Sequence, residues 1–139
     1  MILLDTNVVS EPLKPVPNAV VTSWLDRQPA ESLFLSATSK AELLVGVARL
    51  PAGKRKRGLD DALSELLKLL FGDRILPFDS TASEHFAKLV ASAEAQGRPI
   101  AFADATIAAV ASANGFSVAT RDAEVFRSVG IEVIDPWED

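Results

Sequence analysis

The chain has 139 residues, a formal net charge of −5, 48% hydrophobic residues and no cysteine. This length predicts a single domain over residues 1–139 that folds without disulfides, and the missing cysteine excludes thiol catalysis and cysteine zinc sites. The net charge has the wrong sign for a general nucleic-acid binder, although a carboxylate cluster loaded with divalent cations still attracts phosphate.

The sequence shows no pattern of a targeting or membrane segment. The start, Met1-Ile2-Leu3-Leu4-Asp5, has no basic region and no long apolar region, so no signal peptide is expected. The one long apolar stretch contains Asp104 and the Asn114-Gly115 break, so no membrane span is expected. Together with the absence of cysteine, these features predict a cytoplasmic protein.

Short apolar runs alternate with helical patterns along the chain, which predicts a parallel α/β sheet flanked by helices. Five runs are expected to be strands: 2–4, 33–35, 75–76, 116–119 and 131–134. Six helical patterns accompany them: 19–25, 39–48, 59–70, 80–95, 104–114 and 122–127. Asn18 is a good N-cap for the first helix, Asp79 or Ser80 is expected to cap the fourth, and Gly72 is placed to end the third. Residues 51–58 are expected to form a polar, basic connection.

Asp104 is the only charged residue between Pro99 and Thr120, in a stretch that is small and apolar on nearly every helical face. A carboxylate at the start of a buried helix is costly unless a helix N-terminus or a metal cation offsets its charge. Asp104 is therefore expected to be either a helix cap or an active-site ligand.

Asp104 has three counterparts at other strand–helix junctions. Asp5 follows the first strand, and Glu42 lies in the first turn of the helix after the second strand. Asp122 follows the fourth strand. In an open parallel sheet, the carboxyl ends of strands and the starts of the following helices share one edge, where ligands bind. Acids gathered there suit Mg²⁺ or Mn²⁺, which prefer oxygen ligands.

Each of these acids also has a purely structural interpretation. Ser39 and Glu42 match the S-x-x-E capping box. Asp5 is suited to cap the turn that follows it, and Asp122 is suited to cap its short helix. Capping favours Ser, Thr and Asn about as much as Asp, so an acid at every junction favours a ligand site. Both interpretations stay open for each single residue.

Several short motifs follow one another along the chain. They are Met1–Asn7 with Ser10-Glu11-Pro12, Ala41-Glu42-Leu43 with Gly46, Gly72–Phe78, Ala103-Asp104-Ala105 with Ile107-Ala108-Ala109, Val118–Asp122, and Pro136-Trp137. This ordered set resembles the PIN-domain ribonucleases, and in particular the VapC toxins of the FitB-like type. The resemblance covers essentially the whole chain.

The resemblance implies a PIN-like three-layer α/β fold, in which helices flank a parallel sheet of about five strands in the order 3-2-1-4-5. It also implies a divalent-metal endoribonuclease whose acidic quartet falls on Asp5, Glu42, Asp104 and Asp122. All four are implied ligands of Mg²⁺ or Mn²⁺, with Asp5 and Asp104 binding it most directly. Asn7 and Thr120 are implied to lie near the site and to position water or substrate.

The same resemblance implies the reaction and the partners. RNA is the implied substrate, and a metal-activated water hydrolyses its phosphodiester bonds to leave a 5′-phosphate and a 3′-hydroxyl. The chain is then the toxin of a type II toxin-antitoxin system. Its implied partner is a VapB- or FitA-like antitoxin that places an arginine near the acids. A homodimer is implied too, and operator DNA is bound only through the antitoxin.

A basic run provides a candidate RNA contact. The run consists of Lys54, Arg55, Lys56 and Arg57. It is consistent with a solvated loop and helix start, or with a phosphate-binding patch beside the site. Trp24 and Trp137 are expected to pack rather than to stack on bases, because no basic residues interleave with aromatic ones around them.

Two other functions are consistent with the acids. A haloacid-dehalogenase-like phosphohydrolase also uses magnesium, but it requires a second aspartate two residues after its nucleophile, where Asn7 stands here, and a suitably placed lysine. A non-catalytic metal-binding module would use the acids for signalling or stability and would not cleave RNA. The intact quartet favours the nuclease over both.

Overall fold

The computed structural model describes residues 1–139 and contains one five-stranded parallel sheet in the order β3-β2-β1-β4-β5. The strands are β1 (Ile2–Leu4), β2 (Leu33–Ser36), β3 (Ile75–Leu76), β4 (Ser117–Ala119) and β5 (Val133–Ile134). The parallel α/β class and the strand order implied by the resemblance are both confirmed.

Seven α-helices surround the sheet. They are α1 (Thr6–Ser10), α2 (Ala19–Arg27), α3 (Ala37–Ala48), α4 (Lys54–Leu66), α5 (Ser80–Ala95), α6 (Phe102–Asn114) and α7 (Ala123–Arg127). A π-helical turn, Leu67–Phe71, continues α4, and short 3-10 turns cover Glu11–Leu13, Ala30–Ser32 and Pro136–Glu138. None of these helices combines the length and the apolar character that crossing a membrane requires.

The core has two halves on opposite faces of the sheet. Leu3 packs in a cluster with side chains of α5 and α6, whereas Leu4 packs in a cluster with side chains of α1, α3 and α4. Because successive strand residues point to opposite faces, these clusters make the molecule three layers thick. The expectation of a buried stretch after Asp104 is confirmed, since Ala105–Ala111 are all buried within α6.

The strand register brings the junctions to one edge of the sheet. Leu4, the last residue of β1, pairs with Leu35 of β2 and with Ala119 of β4. The residues that follow β1 and β4 are Asp5 and Thr120, so they leave the sheet side by side. Helices α1 and α3 both begin at this edge, as parallel topology requires.

The start of α3 differs from the sequence expectation. The helix begins at Ala37, because Ser36 is the N-cap and its Oγ accepts a hydrogen bond from the backbone N–H of Ser39 at 3.0 Å. The predicted capping box between Ser39 and Glu42 is therefore wrong. Glu42 lies in the second turn, where it contributes nothing to the helix end.

The start of α4 also differs. The helix begins at Lys54 instead of Leu59, directly after Gly53, whose φ of 151° suits glycine and sets the chain into the first turn. The basic run is therefore helical rather than part of a loop. No acidic side chain lies in this first turn, so the cations stand at the helix end that favours negative charge.

Candidate active site

Asp5 is the most buried acid of the site, with 4% of its surface exposed. Its Oδ1 accepts the backbone N–H of Thr6 at 2.8 Å, and its Oδ2 accepts the hydroxyl of Thr120 at 2.8 Å. Burial raises the pKa of Asp5 from 3.8 to about 6, the two hydrogen bonds oppose this rise, and the charges of Asp104 and Asp122 add to it. Asp5 is thus the N-cap of α1, and its ionised form is disfavoured by burial at the sheet edge.

Asp122 is held in place by hydrogen bonds from the side chain of Asn7 and from the neighbouring backbone. The amide Nδ2 of Asn7 donates to Oδ2 of Asp122 at 3.2 Å, and its Oδ1 accepts the backbone N–H of Arg121 at 3.4 Å. The backbone N–H of Asp122 donates to Oγ1 of Thr120 at 2.9 Å. Asp122 precedes α7 but its side chain makes no capping hydrogen bond, so the capping interpretation fails for this residue.

Glu42 reaches the same edge from the exposed side of α3. Its Oε1 accepts the hydroxyl of Thr6 at 2.7 Å, a short bond of the kind that an ionised acceptor makes. Thr6 follows Asp5 directly, so the N-cap and first residue of α1 contact both Thr120 and Glu42. No sequence pattern indicates this role for Thr6, because Thr6 and Glu42 are 36 positions apart.

Asp104 differs from the other three acids because its side chain has no hydrogen-bond partner within the chain. It is the third residue of α6, which begins at Phe102 and not at Asp104, and the N-cap Ala101 makes no side-chain bond. The first turns of α6 are joined to α3 by Thr106, whose Oγ1 donates to Oγ1 of Thr38 at 2.9 Å. Asp104 is therefore not a helix cap, and both of its oxygens are free.

The four acids form one electrostatic unit. Burial raises the pKa of Asp104, and the charges of Asp122 and Glu42 raise it further. The charges of Asp104 and Asp122 raise the pKa of Asp5 in turn, so each of the four acids takes part in at least one of these interactions. Such mutual repulsion across a partly buried hollow is what a divalent cation would relieve.

The donor set fits a hard cation, although the side chains are not closed around one. No three His, Asp or Glu side chains of the chain are grouped tightly enough, in their present positions, to ligate a single ion. Glu42 is turned toward Thr6 and Asp122 toward Asn7, which separates carboxylates that repel one another. All the available ligand atoms are carboxylate oxygens, the type that Mg²⁺ and Mn²⁺ prefer.

Comparison with known proteins identifies the family of the chain. The family model of the PIN domain matches residues 2–132. The chain belongs to the PIN-domain family. This PIN domain is 49% identical over 139 residues to VapC ribonuclease Y4jK of Sinorhizobium fredii, and 99% of each chain is covered. It is 46% identical to Toxin FitB of Neisseria gonorrhoeae, with both chains covered completely.

Solved structures of toxin-antitoxin complexes contain chains of the same fold. The PIN domain superposes on the crystal structure of FitAcB from Neisseria gonorrhoeae with a TM-score of 0.95 and 45% identity, over 100% of both chains. A FitAB complex bound to an IR36 DNA fragment gives a TM-score of 0.94 and 44% identity, over 99% of this chain and 96% of the other. The resemblance to FitB-like VapC toxins is confirmed.

An apolar groove runs from the acidic site of this PIN domain between α3 and α4. It has a volume of about 350 Å³, begins at Thr6 and Glu42, and is flanked by Lys14 and Arg55. Its floor consists of Leu13, Leu43, Val47, Leu50, Leu59 and Leu63. Of the basic run, Arg55 lines this groove and Lys56 bonds the backbone oxygen of Ala48 at 3.0 Å, so the run lies beside Glu42.

Proposed function

We propose that this PIN domain is a metal-dependent endoribonuclease and the toxin component of a type II toxin-antitoxin system. The observation that carries the proposal is the convergence of Asp5, Glu42, Asp104 and Asp122, whose charges act on one another at one edge of the sheet. The likeness to a VapC ribonuclease and to Toxin FitB supports RNA as the substrate. Residues 1–139 are proposed to act as a single PIN domain.

The proposed cofactor is Mg²⁺, with Mn²⁺ as a substitute. Asp5 and Asp104 would bind it most directly, and Glu42 and Asp122 would complete the acidic surroundings. When bound, the cation supplies positive charge for the phosphate oxygens and lowers the pKa of water. The chain itself fixes Asp5 through Thr6 and Thr120, and it leaves both oxygens of Asp104 free for a ligand.

The remaining polar residues have positioning roles in this proposal. Thr120 orients Asp5 through its hydroxyl and orients the Asp122 backbone through the same oxygen. Asn7 holds Asp122 at the rim. A dehalogenase-like phosphohydrolase needs a second carboxylate at position 7, and Asn7 has an amide there, which donates to Asp122. The nuclease therefore remains the better proposal.

The proposal is tested by cleavage of single-stranded RNA with the purified toxin. We expect EDTA to abolish cleavage, Mg²⁺ or Mn²⁺ to restore it, and Asp104→Asn to remain inactive at saturating metal. Asp60→Asn is the matched control, since Asp60 is exposed on α4 and outside the site. Cleavage that survives chelation, or an active Asp104→Asn protein, would refute the metal mechanism.

The proposed partner is a VapB- or FitA-like antitoxin that occupies the groove between α3 and α4. The groove has an apolar floor, ends at Glu42 and has cations on its flank, which suits an amphipathic peptide with an arginine directed at the acids. Operator DNA is proposed to bind through the antitoxin, in line with the DNA-bound FitAB complex. The proposed RNA substrate and DNA-binding partner imply a cytoplasmic location.

A homodimer is proposed as the functional unit. Phe102 is 73% exposed at the start of α6, and it packs through Phe86 onto Phe78 in a chain of edge-to-face rings. Phe78 is exposed as well, and neighbouring exposed aromatic rings are typical of a protein interface. Because Phe102 is two residues from Asp104, this interface would border the acidic site.

A further inference from the structure

Arg121 is held beside the acidic site by two independent contacts. Its backbone N–H donates to Oδ1 of Asn7 at 3.4 Å, and the same Asn7 side chain donates to Asp122. Its guanidinium lies over the indole of Trp137, with Cζ 5.2 Å from the ring centroid. This distance is within the range of a cation–π contact, so the guanidinium is already ordered.

The guanidinium of Arg121 has no carboxylate partner, although acids surround it. A cleft of about 340 Å³ starts at Asp122 and is lined by two arginines, Arg121 and Arg127, and by the acidic residues Asp122, Glu124, Asp135 and Glu138. The ion pairs of the chain are Lys14 with Glu11, Arg27 with Asp139 and Arg127 with Glu124, and none includes Arg121. An exposed arginine among four acids would ordinarily pair with one of them.

The platform under Arg121 is itself fixed. The backbone N–H of Trp137 donates to Oδ1 of Asp135 at 2.9 Å, and Pro136 is buried. Asp139 is ion-paired with Arg27 at the end of α2, so the tail is held on both sides of the indole. Trp137 also packs against the core cluster that contains Trp24. The expectation that both tryptophans pack is confirmed, and Trp137 has this additional contact.

We propose that Arg121 binds a phosphate of the RNA strand beside Asp122, and that Trp137 is the positioning residue that holds Arg121 for this contact. The inference deepens the proposed function and rests on it. A guanidinium that stacks on an aromatic ring uses its flat face and leaves its in-plane N–H groups free, and these groups bind phosphate oxygens in pairs. Positive charge then lies on two sides of the acids: the basic run lies beside Glu42, and Arg121 lies beside Asp122.

The chemistry of the cleft requires such a cation. The carboxylates that line it repel an RNA backbone, and a metal ion held at Asp5 and Asp104 neutralises charge only at the centre of the site. A fixed guanidinium at the rim offsets the repulsion where the strand leaves the centre. Lysine would not replace it, because an ammonium has no planar face to stack and forms no paired contact.

The test uses steady-state cleavage of a short fluorescein-labelled single-stranded RNA by the full chain with Mg²⁺, over a series of NaCl concentrations. We expect Arg121→Ala to raise KM about tenfold with kcat changed little, and to reduce the slope of log(kcat/KM) against log salt by about 0.7, the value for one phosphate contact on single-stranded RNA. An unchanged KM and slope would overturn the inference.

Lys68→Ala is the matched control, because Lys68 is exposed in the turn that precedes β3, at the opposite edge of the sheet. It should leave KM and the salt slope as in the parent. A reduction of the slope equal to that of Arg121→Ala would show a diffuse charge effect and overturn the assigned contact. Arg121→Lys should keep the slope but raise KM, and full activity of this variant would overturn the role of the stack.

The role of Trp137 is tested by a double-mutant cycle. Trp137→Leu should raise KM about threefold in the parent and should not raise KM further in Arg121→Ala. Trp137→Phe keeps an aromatic ring and should have a KM close to that of the parent. All assays are run well below the melting temperature of each variant, so that loss of folded protein does not contribute to the measured KM. Additive effects would overturn the positioning role.

The outcome for the parent separates this inference from the proposed function. If the parent itself fails to cleave RNA with Mg²⁺, the proposed function is refuted. If the parent cleaves RNA and the variants cleave it equally well, only this inference is refuted.

Discussion

Thr6 donates its hydroxyl to Oε1 of Glu42 across 2.7 Å, and this bond joins the first turn of α1 to the second turn of α3. Thr6→Val keeps the shape of the side chain and removes the donor. We expect it to lower kcat about tenfold, since a hydrogen bond to an ionised acceptor contributes about 1.5–3 kcal/mol. Thr6→Ser keeps the hydroxyl and should retain most activity in the RNA cleavage assay. Equal loss in both variants would contradict a role for the donor.

The buried charge of Asp5 makes the metal-free protein sensitive to pH. Its pKa is about 6 in the folded chain against an ordinary value of 3.8, so the folded state holds the proton more tightly. Stability is therefore greatest below pH 3.8 for this group, and it falls as pH rises through 6. The corresponding cost above pH 6 is at most about 3 kcal/mol.

Asp5→Asn removes this cost, because the amide oxygen still accepts the N–H of Thr6 and the amide nitrogen can donate to the Thr120 hydroxyl. In EDTA at pH 7 the variant should melt at a higher temperature than the parent. The difference should shrink toward pH 4, where Asp5 of the folded parent is protonated. Asp60→Asn should show no such pH-dependent difference, and a constant gap across the pH range would be inconsistent with a buried charge at Asp5.

Metal binding should be visible without any RNA. Mg²⁺ relieves the repulsion among the four acids only in the folded state, so it should raise the melting temperature in proportion to the logarithm of its concentration. Asp104→Asn should weaken this shift strongly, since it removes the carboxylate that has no other partner. Differential scanning calorimetry over a Mg²⁺ series provides the measurement, and an equal shift in the variant would count against Asp104 as a ligand.

The groove can be closed at one glycine. A Cβ at Gly46 would meet no atom within 4 Å, and this residue lines the apolar groove in the middle of α3. Gly46→Ala should stabilise the helix by up to about 1 kcal/mol. Gly46→Phe should fill the groove and prevent co-purification with the antitoxin while RNA cleavage persists.

Gly58→Ala is the control for the groove, because Gly58 is also helical and also free of neighbours within 4 Å but does not line the groove. It should stabilise α4 and leave antitoxin binding intact. Retained antitoxin binding by Gly46→Phe would place the antitoxin elsewhere on the toxin.

The proposed dimer predicts a specific change in size. Phe102→Gln should convert the dimer into a monomer, measured by size-exclusion chromatography with light scattering, because it removes the exposed end of the aromatic chain. Leu69→Gln is matched in exposure, at 72% against 73%, and should remain dimeric. Dimers in both variants would show that another face makes the contact.

Local sequence patterns predicted the features that depend on residues near in the chain. The first four strands to within one residue, the Asn18 cap, the choice of Asp79 or Ser80 as the next cap and the buried stretch after Asp104 follow from periodicity and capping rules, and the structure agrees with each. The fifth strand was predicted over 131–134, and β5 covers only Val133–Ile134. Convergence of the acids was inferable from the parallel topology, because such sheets bring their junctions to one edge.

Contacts between distant residues were not predictable in this way. The bond from Thr6 to Glu42 and the stack of Arg121 on Trp137 depend on how helices and the tail pack against the sheet. The start of α3 was predicted wrongly because Ser36 and Ser39 are both good caps, and only the register of β2 places Ser36 at the end of the strand. The helical basic run follows from Gly53, whose backbone angle no periodicity reveals.

The carboxyl group of Asp104 supports no other part of the fold, since it neither caps α6 nor bonds another side chain. A cell that escapes intoxication through a substitution at this codon would therefore keep a folded, harmless copy with its groove intact. On the proposed function, such a copy would still bind the proposed antitoxin and would compete for it with an active copy of the same chain.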